Sequence, residues 1–145
     1  MKEPLPSPVT VTPPEGWRIS ELHDPFEAYV GPLFEREDAD GTRIFGFIAD
    51  ERHVNERGAV HEGMMMTFAD AFLGGAANRG ADGKSCVTLS LQASFLADAK
   101  AGDLIECRTK LDRKTRAIVF VSARFSVGDD DVMTATSLWK VLGER

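Results

Sequence analysis

Apolar and polar positions follow two different periods along this chain, and the change of period divides it. Between Gly63 and Ala77 runs Gly-Met-Met-Met-Thr-Phe-Ala-Asp-Ala-Phe-Leu-Gly-Gly-Ala-Ala, in which Asp70 is the only ionisable residue. Thr67, three residues earlier and on the same helical face, is the only other polar side chain there. A helix apolar on nearly every side is expected to be buried nearly all round. The pattern predicts that helix over 62–78, ended by Arg79-Gly-Ala-Asp-Gly83. A buried carboxylate without a partner is costly unless something compensates it or its pKa rises, so core packing alone does not select Asp70.

After the helix the period becomes two. Val87, Leu89, Leu91, Ala93 and Phe95 alternate with Thr88, Ser90, Gln92 and Ser94, which predicts a strand with one buried face. Residues 104–111, 117–127 and 132–142 read as further strands, joined by turns at 100–103, 112–115 and 128–131. Such short connections make neighbours antiparallel. Before the helix, 43–49 reads as a strand and 53–60 as a loop with Asn55 and Gly58 as turn residues. Over 24–35, Asp24 caps a short helix with Pro25 at its first position, carrying Phe26, Tyr29, Val30 and Leu33 and interrupted by Gly31-Pro32. Residues 1–16 hold five of the seven prolines and read as a flexible arm, leaving 17–145 as one domain. The expected class is α+β, with an antiparallel sheet of five to six strands wrapped around one central long helix.

Composition narrows the function classes. A chain of 145 residues suits a single domain with a real core, and 43% apolar with 28% charged residues is ordinary for a globular protein. The net charge of −6 argues against a broad nucleic-acid surface. The longest apolar run is too short, and too rich in Gly and Ala, for a membrane span. The first residues show no basic stretch followed by an apolar core, so no signal peptide is expected. Cys86 and Cys107 fall in separate predicted strands without metal-ligand spacing. Reduced thiols in the cytoplasm are the simple reading and a disulfide the alternative.

Several motifs fail on their spacing. Gly83-Lys84-Ser85 resembles the end of a phosphate-binding loop, but Asn78 stands where the earlier Gly belongs and a strand follows in place of a helix. Asp129-Asp130-Asp131 lacks the ligand ladder of a calcium loop and reads as a solvated turn. His53, His61 and Glu62 do not form the two-His helical zinc motif, so no metal is expected. No serine sits on a strand-to-helix elbow. Met64-Met65-Met66 reads as core filler, with an adaptable acyl pocket as the alternative.

One constellation survives: Asn55, Gly58, His61, Glu62, Gly63 and Asp70, in the run Asn-Glu-Arg-Gly-Ala-Val-His-Glu-Gly-Met-Met-Met-Thr-Phe-Ala-Asp. It resembles the hotdog-fold acyl-CoA thioesterases of the phenylacetate-pathway type. Their signature is an Asn, a nearby Gly, His-Gly-Gly, and an acidic residue seven positions after the second Gly. Every spacing fits, over about residues 13–141, with one departure: Glu62 stands where the family has the first Gly.

The resemblance implies hydrolysis of an acyl-CoA thioester to free acid and CoA, without a cofactor. Asp70 would activate water or attack the carbonyl itself. The amides of Glu62 and Gly63, expected to be unpaired at the helix start, would hold the thioester oxygen. Asn55 would position substrate or water, His61 would order the helix entry, and Thr88 would orient the water. Phe95 and the basic cluster Arg113, Lys114 and Arg116 would contact the nucleotide, a merely solvated basic turn being the alternative. Gly63 and Asp70 lie about 10 Å apart along the axis at ~1.5 Å per residue, too far for both to serve one carbonyl. The site is therefore expected at the interface of a homodimer, or of a homotetramer built as a dimer of dimers, with 87–95 as the seam. A non-catalytic acyl-CoA sensor, for which Glu62 is the supporting feature, and a hotdog hydratase remain as other readings.

Overall fold

A computed structural model describes residues 3–143. The elements follow in the order β1 (Arg18–Ile19), α1 (Pro25–Val30), β2 (Phe34–Glu37), β3 (Arg43–Ile48), α2 (Glu62–Gly80), β4 (Cys86–Phe95), β5 (Leu104–Lys114), β6 (Ile118–Val127) and β7 (Asp130–Val141). All strands pair antiparallel in one sheet of order β1-β2-β3-β5-β6-β7-β4. The sheet thus has seven strands rather than five or six. β1 and β2, of two and four residues, are too short to display a period in sequence. With α2 packed on β4 to β7, this is the hotdog fold of the α+β class.

His61 starts α2. Its Nδ1 accepts the Gly63 N–H at 2.9 Å, and its carbonyl accepts those of Met64 and Met65. The helix continues to Gly80, two residues past the predicted end, and stops where Asp82 and Gly83 take positive φ. One face of α2 (Met65, Phe68, Ala69, Phe72, Leu73 and Ala77) is buried. Phe45 and Phe47 of β3 stack on Phe72 and Phe68, with Val119, Val121, Phe125 and Trp139 closing the core from β6 and β7. Burial of each such side chain contributes about 1.5–3 kcal/mol.

The opposite face is open, which corrects the expectation of burial nearly all round. Glu62, Gly63, Asp70, Asn78 and Arg79 are exposed, and Met66, Thr67, Ala71, Gly74 and Gly75 are half-buried. The sheet covers only one side of the helix. Small residues made the run read as apolar, yet they leave space beside the helix instead of filling a core.

The even alternation expected for 87–95 is also broken. A β-bulge between Thr88 and Ser90 leaves Leu89 outside the register with β7. On the helix side stand Cys86, Thr88, Leu91, Ala93 and Phe95; Thr88 pairs with buried Trp139 and Leu91 with buried Ser137. An extra residue inverts the side-chain parity of the strand beyond it. Val87 and Leu89 accordingly lie exposed, at 43% and 53%. β4 ends the sheet, and its outer edge is unpaired among the described residues.

Asp24 caps α1, its Oδ1 accepting the N–H groups of Phe26 and Glu27. The helix ends at Val30 rather than reaching 35, and residues 34–37 form β2 instead. The loop after β3 holds its C-terminus: Arg52 donates to the carbonyls of Tyr29 and Gly31, and buried His53 Nε2 lies 2.8 Å from that of Val30. Residues 3–16 contain no helix or strand, and the Leu5 N–H donates to the Leu22 carbonyl. β5 runs on to Lys114 through a bulge near Leu111, so Arg113 and Lys114 are strand residues and only Arg116 of the basic cluster sits in the turn. The last turn likewise narrows, since β7 already starts at Asp130. No described helix is long and apolar enough to cross a membrane.

Candidate active site

Asp70 meets Thr88 on the open side of α2. The Thr88 hydroxyl donates to Asp70 Oδ1 at 2.6 Å. This contact exists because the bulge in β4 turns Thr88 toward the helix, while α2 turns Asp70 away from the aromatic core. Asp70 therefore needs no compensation for deep burial. Its neighbours are Thr88, the Glu27 carboxyl and an open space.

That space is a cleft of about 470 Å³. Ala71, Gly74 and Gly75 form its floor; Leu33, Phe45, Phe72 and Trp139 are its apolar walls; Glu27, Arg43, Asn78 and Arg79 bring polar groups. Glu27 of α1 stands out electrostatically. Burial, together with the negative charges of Asp24 and Asp70, pushes its carboxyl up to about 7. The sequence pattern singles out neither Glu27, Trp139 nor Arg79. A hint existed for Glu27, third residue of a helix capped by Asp24, but nothing in the chain order places that short helix opposite Asp70.

The helix entry differs from expectation at one of its two amides. The Gly63 N–H is taken by His61 Nδ1, so it is not unpaired. The Glu62 N–H has no partner among the described residues. Glu62 is the first residue of α2, its side chain is exposed, and neither it nor Gly63 adopts positive φ. Glutamate therefore fits this backbone without strain.

Asn55 is turned into its own loop. Its Oδ1 accepts the N–H of Arg57 at 2.9 Å and of Ala59 at 3.3 Å, closing a turn in which Gly58 takes φ 79°. It lies just before the helix entry and orders that approach. Phe95 ends β4 and is 47% exposed. Lys114 pairs with Asp82 at 3.1 Å, beside the C-terminal end of α2. The basic strand end and the Glu62 amide thus sit at opposite ends of one helix, about 27 Å apart at ~1.5 Å per residue. Among the described residues no cluster of His, Cys, Asp and Glu has the makings of a metal site, and both cysteines are free thiols.

The single chain therefore brings together Asp70, Thr88 and the cleft, and separately His61, Glu62, Gly63 and Asn55. It does not bring the two groups to each other. Glu62 and Asp70, eight residues apart on one rigid helix, are separated by about 12 Å of axial rise.

Comparisons with known proteins agree with the fold and the motif region. The family model of the thioesterase superfamily matches residues 57–134, which hold Gly58, His61, Glu62, Gly63, Asp70 and Thr88. A candidate esterase of Pseudomonas aeruginosa is 32% identical over 127 residues, covering 87% of this chain and 95% of its own length. A crystal structure from Ralstonia eutropha, described as a phenylacetic acid degradation-related candidate thioesterase, is 31% identical with a TM-score of 0.72, covering 83% of this chain and 93% of that one. A Bacillus halodurans protein crystallised with CoA shares the fold at a TM-score of 0.72 and 19% identity, over 83% of this chain and 80% of its own. By fold, motif spacing and relatives alike, the chain belongs to the thioesterase superfamily and is a thioester hydrolase.

Proposed function

We propose that this hydrolase acts on acyl-CoA thioesters, releasing a free carboxylic acid and CoA, at sites shared between two protomers. The observation that carries the reading is the Asp70–Thr88 pair, 2.6 Å apart at the mouth of a cleft and beside an unpaired strand edge. The CoA in the Bacillus halodurans structure supports the substrate class.

In this reading the Thr88 O–H donates a hydrogen bond to Asp70 Oδ1 and keeps its proton, which leaves Oδ2 free to take a proton from water. The water oxygen attacks the thioester carbonyl. The oxygen that becomes negative is held by the unpaired Glu62 amide of the second protomer, at the positive end of its α2. Collapse of the tetrahedral adduct expels the CoA thiolate, and Asp70 returns the proton to it. Direct attack by Asp70 on the carbonyl is the other route through the same geometry. His61 fixes the helix entry by capping it, and Asn55 fixes the loop before it.

Two protomers are needed because one rigid helix cannot bring its own Glu62 amide to its own Asp70. Pairing of β4 with β4 of a second copy would cover the unpaired edge and exposed Val87 and Leu89. It would also carry the cluster of Arg113, Lys114 and Arg116 toward the other protomer's helix entry, where the phosphates of CoA need cations. A dimer, or a dimer of such dimers, satisfies this geometry. The unstrained backbone at Glu62 favours catalysis over mere acyl-CoA sensing.

A thiol-release assay over a panel of acyl-CoAs tests the reading. Wild-type protein should liberate CoA, and Asp70→Asn should abolish release while still binding the ester. Undiminished release by that variant would overturn it.

A further inference from the structure

Resting on the acyl-CoA reading, we infer that the cleft beside Asp70 selects acyl groups with a carboxylate at their far end, and that Arg79 receives it. The cleft runs along α2 from Asp70 over Ala71, Gly74 and Gly75 to Arg79. A Cβ added at Gly75 would meet the Phe45 ring at 3.7 Å, ordinary contact, so any longer side chain there would occupy the channel. The Arg79 guanidinium lies 5.3 Å from the centroid of the same ring, forming a cationic wall at the distal end.

The Arg79 side chain makes no hydrogen bond or ion pair among the described residues, while its carbonyl accepts the Asp82 N–H. Other cations nearby are satisfied: Arg43 pairs with Glu35 and Lys114 with Asp82. Burial and then the charge of Arg43 pull the Arg79 pKa down, and the nearby charges of Glu35 and Glu37 offset this only in part. A guanidinium is a planar fork that matches a carboxylate with two parallel hydrogen bonds. The charge of a helix end explains a basic residue in the last turn, but it does not explain one folded over an aromatic wall of the cleft.

The spacing sets the acyl length. Asp70 and Arg79 are separated by about 13 Å of axial rise, and side chains lean toward the helix N-terminus, which brings the guanidinium back toward Gly75. That span suits a medium-length acyl chain. Glu27 and Asp70, which would repel a second acid, lie toward the other end, and Glu35, which also lines the cleft, is paired with Arg18 and Arg43.

Suberyl-CoA and octanoyl-CoA have the same chain length and differ in the terminal carboxylate. Their kcat/KM values should be compared by thiol release in wild type, Arg79→Met and Arg79→Lys, and their Kd values in Asp70→Asn and in Asp70→Asn/Arg79→Met. The wild type should favour suberyl-CoA by about tenfold, as expected for a bidentate, charge-assisted hydrogen-bonded pair. Arg79→Met should erase that preference by weakening suberyl-CoA alone, leaving octanoyl-CoA within about twofold, with Arg79→Lys between them. A wild-type preference for octanoyl-CoA, or equal loss of both esters in Arg79→Met, would overturn the inference. If neither ester is hydrolysed the acyl-CoA reading fails, and the Kd pair still decides whether Arg79 recognises the carboxylate.

Discussion

Thr88 on the edge strand and Asp70 on the central helix are joined by a 2.6 Å hydrogen bond that links the helix carboxylate to the rim of the sheet. The bond exists only because the extra residue at Leu89 inverts side-chain parity along β4. Without it, a strand that turns Leu91 and Ala93 toward the helix would turn Thr88 away.

Removing this hydroxyl should therefore cost catalysis more than stability. Thr88→Val is expected to lower kcat by about 10- to 100-fold, the range for losing a hydrogen bond to a charged group. Thr88→Ser should stay within a few-fold of wild type. Steady-state thiol release on the two variants, with a melting curve to confirm folding, checks this.

The Glu62 amide can be deleted without disturbing the fold. Proline is favoured at the first helical position, and His61, at φ −59° and ψ 135°, already has the conformation that a residue before proline needs. Glu62→Pro should lower kcat by about 10²–10³-fold, as for loss of an oxyanion donor, while Glu62→Gly retains or raises activity. Mixing Glu62→Pro with Asp70→Asn protein should then restore about a quarter of wild-type activity, since each mixed dimer regains one intact site. No recovery on mixing would place both groups in one chain.

Glu27 should make stability depend on pH. Its folded-state pKa is raised from 4.5 to about 7, so the folded protein holds the proton more tightly than the unfolded chain. The benefit is fully present below pH 4.5 and is lost as pH rises through 7. Glu27→Gln, which stays neutral, should raise the melting temperature at pH 8 by about 1–3 °C after discounting for the part of the side chain in solvent, with no gain near pH 4.5. Calorimetry at the two pH values decides it.

His53 should act in the opposite direction. Its Nδ1 accepts the Asp50 N–H, which leaves Nε2 to donate to Val30, and burial holds its pKa below 6.5. The unfolded chain protonates first on acidification, so this contribution is present above pH 6.5 and is lost as pH falls from there through the folded-state value. His53→Asn should flatten that acid slope. It should also cost about 1–3 kcal/mol at pH 7, because the Val30 carbonyl loses its donor. Urea titrations at pH 7 and 5.5 measure both effects.

The fold class, the central helix and the order of the four later strands were legible in the sequence, because each long element repeats its burial pattern several times. The motif from Asn55 to Asp70 was legible because its residues lie close in the chain. Local hydrogen bonding also follows from such neighbours: Asp24 on Phe26 and Glu27, Asn55 on its own turn, and His61 on Gly63. Only the tertiary structure decided the relations across long sequence separations. α1 sets Glu27 opposite Asp70, and the open face of α2 stays open because the sheet wraps one side only. The bulge in β4 sets which of two alternating residue sets faces the helix. A period of two defines two faces but not which is inside, and one extra residue exchanges them. Asp70, which the apolar pattern taken alone would bury, borders a cleft, where its carboxylate accepts the Thr88 hydroxyl.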